Sequence, residues 1–249
     1  MKAFKGILAQ LSFFTIIPSI KSDLETIARY SFLSPIFIGL ITGIIDFASY
    51  LLLWNIIGIL SKVLLFVIVE VVRGFNHLDG LLDISDALMV KGNMEKRIKA
   101  MKDVEVGSGG IGASLVYFSI MLVALLNLQY PSLYSFLVLI SSEIACRSLG
   151  LLILSTLKPM ENSYLGKIFN SYLSNKYALL LIQAIPFLLI IPLVLYIILY
   201  LIFYYIGKTS FHGSSGDLTG FVITLSFPLF LLANEKFCYL SSLLHYFGI

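Results

Sequence analysis

The sequence predicts an all-α fold: a polytopic integral membrane helical bundle of about six to seven transmembrane helices, preceded by an N-terminal interfacial or re-entrant segment. Three observations carry that expectation. Hydrophobic residues make up 59% of the chain and charged residues only 12%, about half the charged share of a soluble domain. Mean hydropathy is +0.96. The apolar residues fall in long uncharged runs, with most basic residues gathered between them. A net charge of +3 is too small to imply a nucleic-acid partner. Cys146 and Cys238 lie in apolar surroundings without CxxC spacing, so buried reduced thiols are expected, not a disulfide or a zinc site.

The elements follow in order. Lys2 and Lys5 precede an apolar stretch with no small-residue cleavage site before Pro18, so that stretch is expected to be retained. Residues 7–17 are too few to cross comfortably, which makes the segment ending at Pro18 interfacial or re-entrant. Uncharged or nearly uncharged runs at 32–54, 56–72, 111–128, 133–157 and 221–233 are candidate spans, a span needing roughly 20 apolar residues. Residues 177–206 are too many for one upright helix and few for two. Pro186 and Pro192 interrupt helical hydrogen bonding there, so a hairpin of two short helices and a single kinked helix both stay open. No internal repeat, low-complexity tract or linker stands out, and residues 1–249 read as a single membrane-embedded domain.

Basic residues orient the bundle. Lys2, Lys5, Lys21 and Arg29 precede the first full span; Lys91, Lys96, Arg97, Lys99 and Lys102 fall in the first large loop, and Lys158, Lys167 and Lys176 in the second. The connections near Asn55 and Pro131 carry no charge. The positive-inside rule makes both large loops cytoplasmic in a multi-pass cell-membrane protein.

The chemistry concentrates in the first loop, about residues 73–112. Its start, FNHLDGLLDISD, places Asp79, Asp83 and Asp86 at i, i+4 and i+7, on one narrow helical face at about 100° per residue. Unpaired, they repel one another, and near a membrane the cost grows. A hard divalent cation, Mg²⁺ or Mn²⁺, suits carboxylate-only oxygen donors and bridges to phosphate. His77, two residues before Asp79, is a candidate base or ligand. Further on come a basic helix at 94–103 and the run GSGGIG, Gly107 to Gly112, opening the next apolar helix. Glycines at a helix N-terminus let backbone N–H groups approach a phosphate, although small residues also serve close helix packing. Metal-binding acids, cations and backbone donors within one loop are the parts needed to handle a pyrophosphate.

Elsewhere, GSSGDLTG at 213–220 puts Asp217 just before the last run and just after His212. It reads either as an acidic first turn of a helix or as a part of the same site. The second reading requires residues 177–206 to turn back. Glu143 and Arg147 stand one turn apart in an apolar helix, as a neutralising pair or with the arginine reaching a substrate phosphate. Glu70 and Arg73 read as a pair; Lys62, Asp46 and His245 suggest no role.

At these residues the chain resembles the adenosylcobinamide-GDP ribazoletransferase (cobalamin-5′-phosphate synthase) family, nearly from end to end. The similarity is carried by Phe13, Phe14 and Pro18; by Pro35, Gly39 and Gly43; and in full by His77, Leu78, Asp79, Gly80, Leu81, Asp83 and Asp86. Arg97, Met101, Lys102, Asp103 and Gly107 match the family's R-x-x-x-M-K-D-x-x-x-G element, Arg147 its mid-span arginine, and Ser215, Gly216, Asp217 and Gly220 its late motif. The chain departs from the pattern at Ala87, at Thr224 and at Ile16 and Ile17. The resemblance implies a membrane transferase of late cobalamin biosynthesis. It would join adenosylcobinamide-GDP to α-ribazole or its 5′-phosphate, releasing GMP. A ribose hydroxyl attacks the phosphorus on the cobinamide arm. The implied roles are Mg²⁺ on Asp79, Asp83, Asp86 and Asp103, phosphate contacts from Arg97, Lys102, Gly107 and Arg147, Asp217 at the substrate, and Asp83 or His77 taking the hydroxyl proton. Expected partners are these substrates and the lipid bilayer, with a homo-oligomer left open. Two rival classes fit the residues less well. A CDP-alcohol phosphotransferase asks for Ala-Arg after its D-G dipeptide, which this chain lacks, and a cation transporter more naturally spreads its acids over broken helices in repeated halves.

Overall fold

The computed structural model describes residues 2–187 and 190–246, with the backbone alone at 186, 190 and 236–246. The expectations for the Cys238 and His245 side chains therefore lie outside the described residues. Twelve α-helices are described: α1 (Lys2–Phe14), α2 (Leu24–Tyr30), α3 (Ser34–Ile57), α4 (Ser61–Arg73), α5 (Asn76–Met89), α6 (Met94–Met101), α7 (Ser108–Asn127), α8 (Leu133–Thr156), α9 (Tyr164–Leu173), α10 (Tyr177–Ala184), α11 (Ile190–Ser210) and α12 (Gly216–Tyr246). Among the described residues, five stretches are long and apolar enough to cross a membrane: Leu24–Arg73, which holds both α3 and α4, then Ser108–Asn127, Leu133–Thr156, Ile191–Ser210 and Gly216–Glu235.

The axis of the bundle is α8. Its most apolar window is 94% buried, because small and hydroxylated residues such as Ser142, Ser148 and Gly150 let neighbouring helices press close on several sides. A Cβ on Gly39 would stand 2.8 Å from Ile144, and one on Gly43 2.8 Å from Ile140. The numbers run in opposite senses, so α3 and α8 are antiparallel. Gly150 meets Ile223 of α12 in the same way. Glu143 gathers the interior charges: it accepts from Thr42 Oγ1 at 2.6 Å and from Arg73 Nη2 at 2.5 Å, and pairs with Arg147. The neutralising i, i+4 pair is present, and the Glu70–Arg73 pair as well, at 3.6 Å. Lys62 donates to the Leu126 carbonyl at 2.9 Å.

Two features depart from simple spans. The run at 56–72 forms α4, whose 13 residues rise only about 20 Å, short of the roughly 30 Å hydrocarbon core. Gly74 (φ +69°) and Phe75 (φ +59°) then take left-handed conformations, and the chain resumes as α5. The carbonyls freed at the break are answered: Gly74 N–H donates to Val71 O at 2.9 Å, and Ile16 N–H, from the N-terminal segment, donates to Val72 O at 3.0 Å. Broken helices are tolerated at membrane depth under that condition.

The second feature is the stretch 177–206. Ser148 Oγ donates to the Leu180 carbonyl at 2.7 Å and lies 2.9 Å from the Tyr196 hydroxyl. In one continuous helix those two residues would stand about 24 Å apart, so the chain doubles back. The arms are unequal, not both short as the hairpin reading had it: α10 has 8 residues and α11 has 21.

Candidate active site between two helices

The α5 sequence sorts itself by face. Leu81, Ile84 and Ala87 are fully buried against the bundle, while Asp79, Asp83 and Asp86 occupy the opposite, exposed to half-buried side. Two glycines set how closely α12 approaches the buried side. A Cβ on Gly80 would run into the Asp217 main chain, 3.1 Å from its Cα, and a Cβ on Gly220 would stand 3.2 Å from His77 Cα. The two motifs of the sequence are therefore the two halves of one helix contact, antiparallel, with α5 against the first turns of α12. Asp217 joins the carboxylates of α5 at the same end of the bundle. The loop carrying it is pinned there as well: Ser214 N–H donates to Lys158 O at 2.8 Å, and Met160 N–H to Ser214 O at 2.9 Å.

Electrostatics report the crowding. Asp83 is pushed up to about 7, first by burial and then by the charges of Asp79, Asp217 and Asp86. His77 is pushed down to about 3 by burial and by the positive charges of Arg147 and Arg73, which keeps its imidazole neutral and weakly basic. Its Nδ1 is buried without a hydrogen-bond partner.

Asp86 has other work. Its two carboxylate oxygens accept the Gly107 and Gly110 N–H groups, each at 2.8 Å. It thus caps the start of α7, where the absence of Cβ atoms lets the carboxylate approach. The glycine run meets an anion, and that anion is the protein's own. Asp103 is exposed just beyond α6, accepting the Glu105 N–H at 3.3 Å. Arg97 Nε reaches Val90 O at 3.5 Å. Lys102 is exposed; burial and the charge of Asp79 push Asp217 up, and the Lys102 charge opposes that shift. Arg147 sits deeper, 3% exposed and paired with Glu143, with Nε and Nη2 free of hydrogen-bond partners. Among the described residues, no three His, Cys, Asp or Glu side chains converge closely enough to hold a metal unaided.

A cavity of about 320 Å³ opens beside Asp79 and Asp217. His77, Asn76, Thr219 and Gly220 line its polar side, and Phe13, Phe14 and Phe169 its apolar side. Sequence reasoning missed that aromatic wall. Phe13 and Phe14 stood out only as a phenylalanine-rich start similar to the family's, with no role attached, and Phe169 sits in α9, a helix short enough to pass for loop.

A helical bundle embedded in the membrane, with acid-bearing helices meeting at a cavity beside a basic loop, defines a polytopic membrane enzyme. The comparisons specify which. The family model for cobalamin-5-phosphate synthase matches residues 6–234, and the chain belongs to that family. It is 52% identical to an adenosylcobinamide-GDP ribazoletransferase of Saccharolobus solfataricus, over 97% of this chain and 99% of that protein. A protein of the same name from Sulfolobus acidocaldarius is 48% identical, over 99% and 96%. One from Pyrococcus furiosus is 36% identical, over 69% and 73%. No solved structure matches.

Proposed function

We propose that this protein is an adenosylcobinamide-GDP ribazoletransferase acting at the cytoplasmic face of the cell membrane. It joins adenosylcobinamide-GDP to α-ribazole or its 5′-phosphate and releases GMP. The observation that carries the reading is the contact of Gly80 with Asp217 and of Gly220 with His77, which brings the carboxylates of two helices to one cavity. Neither rival class draws support from the family match.

The bonds follow from the substrates. A ribose hydroxyl of the acceptor attacks the phosphorus attached to the cobinamide arm. The bond from that phosphorus to the bridging oxygen breaks, and GMP leaves with the oxygen. The hydroxyl proton passes to a carboxylate of the site, Asp83 on α5 or Asp217 at the cavity. Lys102 and Arg97, on and just after α6, supply the positive charge available to a departing phosphate. Asp86 works through α7, fixing the glycine run against α5.

The donor chemistry fits a hard dication, Mg²⁺ or Mn²⁺, held by Asp79 and Asp83 with Asp217 nearby. Magnesium commonly takes one or two protein carboxylates and completes its shell with water and substrate phosphates, so three converging side chains are not required of the protein alone. Once bound, such a cation neutralises the pyrophosphate and the charge growing on the leaving GMP. The basic residues of both large loops support the cytoplasmic placement.

The deciding experiment incubates the membrane-embedded protein with adenosylcobinamide-GDP, α-ribazole and Mg²⁺. Stoichiometric GMP and a cobalamin product are expected. Absence of GMP with both substrates present overturns the assignment.

A further inference from the structure

A second cavity, of about 430 Å³, lies between α1, the turn leading into α3, and α10. Ile7, Phe32, Ile36, Leu40, Leu179 and Ile182 give it apolar walls. Leu179 and Ile182 are exposed, so it opens as a groove on the flank of the bundle. Gln183 is the single polar side chain among the described lining residues, and its amide is turned to the backbone. Its Nε2 donates to the Phe32 and Leu179 carbonyls at 2.6 and 2.9 Å, and its Oε1 accepts the Ile36 N–H at 3.3 Å. Such a surface takes hydrocarbon by van der Waals packing. The lining follows the chain from Phe32 to Ile41, about 14 Å of helix. That is about half of the roughly 30 Å hydrocarbon core, the depth of one leaflet.

One end of the groove is cationic. Lys176, just before α10, holds its ammonium 4.2 Å from the centre of the Phe32 ring and donates to the Arg29 carbonyl at 3.1 Å. Arg29 lays its guanidinium over Tyr172 at 5.4 Å. Burial and the Arg29 charge hold the Lys176 amine below its ordinary value. Among the described residues neither cation closes an ion pair, although Glu25 stands one turn before Arg29 on α2. Two like charges are crowded at the mouth of an apolar groove, and an anion placed there relieves both.

We propose that this groove holds one anionic phospholipid, with a hydrocarbon chain along α3 and the phosphate at Lys176 and Arg29. The order of the parts identifies the occupant: positive charge at one end, then hydrocarbon for the depth of one leaflet. A soluble phosphate makes no use of the groove, and a peptide leaves its N–H and C=O groups unpaired there. The seated lipid fills the gap between α10 and Ile7 of α1, the helix that carries Phe13 and Phe14 to the other cavity.

Native mass spectrometry of the delipidated protein, titrated with phosphatidylglycerol or with phosphatidylcholine of the same chains, tests the proposal. One phosphatidylglycerol should bind in preference. The double variant Arg29→Gln, Lys176→Gln should lose about thirtyfold of that preference, while Lys208→Gln, an exposed cation in the last turn of α11, should keep it. Comparing two lipids on one variant cancels any general loss of stability. Leu40→Trp fills the groove without removing a cation and should weaken phosphatidylglycerol binding in a protein that still melts cooperatively. Glycerol phosphate, the headgroup without chains, should not compete. Equal affinity for both lipids, a preference retained in the double variant, unchanged binding in folded Leu40→Trp, or competition by glycerol phosphate overturns the proposal. So does a dimer in detergent that Leu40→Trp dissolves, which would give the groove to a second copy of the chain.

Discussion

The sharpest test of the site is the substitution Gly80→Ala. The added methyl group would stand 3.1 Å from Asp217 Cα and closer still to its carbonyl oxygen, inside the 3.5–4.0 Å at which carbon atoms ordinarily rest. The obstacle is backbone, so no rotamer change relieves it, and the first turn of α12 must retreat by about 0.5–1 Å. Asp217 rides on that turn. A displacement of that order at a reacting centre costs about a hundredfold in rate. Overpacking a helix contact costs about 1–3 kcal/mol, partly offset by the helix propensity gained from Gly to Ala, about 1 kcal/mol. The expected variant is therefore folded, a little less stable, and about a hundredfold slower. GMP release measured by chromatography, beside a thermal melt in detergent, reads both numbers. Gly112→Ala is the control, since a Cβ at that position of α7 meets nothing within 4 Å; it should keep full activity with unchanged or slightly higher stability. Wild-type turnover in Gly80→Ala would refute the claim that this glycine sets the α5–α12 approach on which the site depends.

Other outcomes follow from the same geometry. Chelation should abolish GMP release and added Mg²⁺ or Mn²⁺ restore it; undiminished turnover in chelator would remove the metal. Asp79→Asn and Asp83→Asn should each lose at least about a hundredfold in rate in proteins that melt normally, and an ordinary rate in Asp83→Asn would put the site elsewhere. Asp86→Ala should behave differently, losing about 1–2 kcal/mol of stability with the α7 cap, measured by denaturation; a higher Mg²⁺ requirement at unchanged stability would make Asp86 a ligand instead. Glu143→Ala strands two buried arginines and should cost about 3–5 kcal/mol, and a loss below about 1 kcal/mol would show that Arg73 and Arg147 find other partners. For topology, Thr209→Cys in a background without native cysteines should react from the same side of sealed vesicles as Lys99→Cys, and labelling from opposite sides would contradict the hairpin.

Much of this was written locally in the chain. The period of the aspartates put Asp79 and Asp83 on one face because helix geometry needs only neighbouring residues, and the Glu143–Arg147 pair followed from i, i+4 spacing. Non-local facts were not legible. Nothing around Asp86 says that its acceptors will meet N–H groups more than twenty positions later, so its role as a cap came only with the fold. Arg73 read as the partner of Glu70, yet its shorter bond is to Glu143, on a helix that only tertiary packing brings near. The break after Arg73 left a single glycine as its trace, since Phe75 is a residue whose composition never suggests a left-handed backbone. In residues 177–206 the prolines marked where the chain turns. They could not give the lengths of the arms, which follow from where Ser148 holds Leu180 and Tyr196.

The hydrogen bond from Ile16 to Val72 has a consequence for biogenesis. The segment that carries it leaves the ribosome before its partners α4, α8 and α9, and well before α9. Until α4 has been inserted, Ile16 has no carbonyl to close. Until α9 has docked, Phe13 has no ring on which to stack. The leading segment must therefore wait at the membrane surface while the bundle assembles, and only then seal the broken helix and complete the aromatic wall. The cavity beside Asp79 and Asp217 is thus completed at a late step of assembly, by a piece of chain synthesised before the helices that hold it.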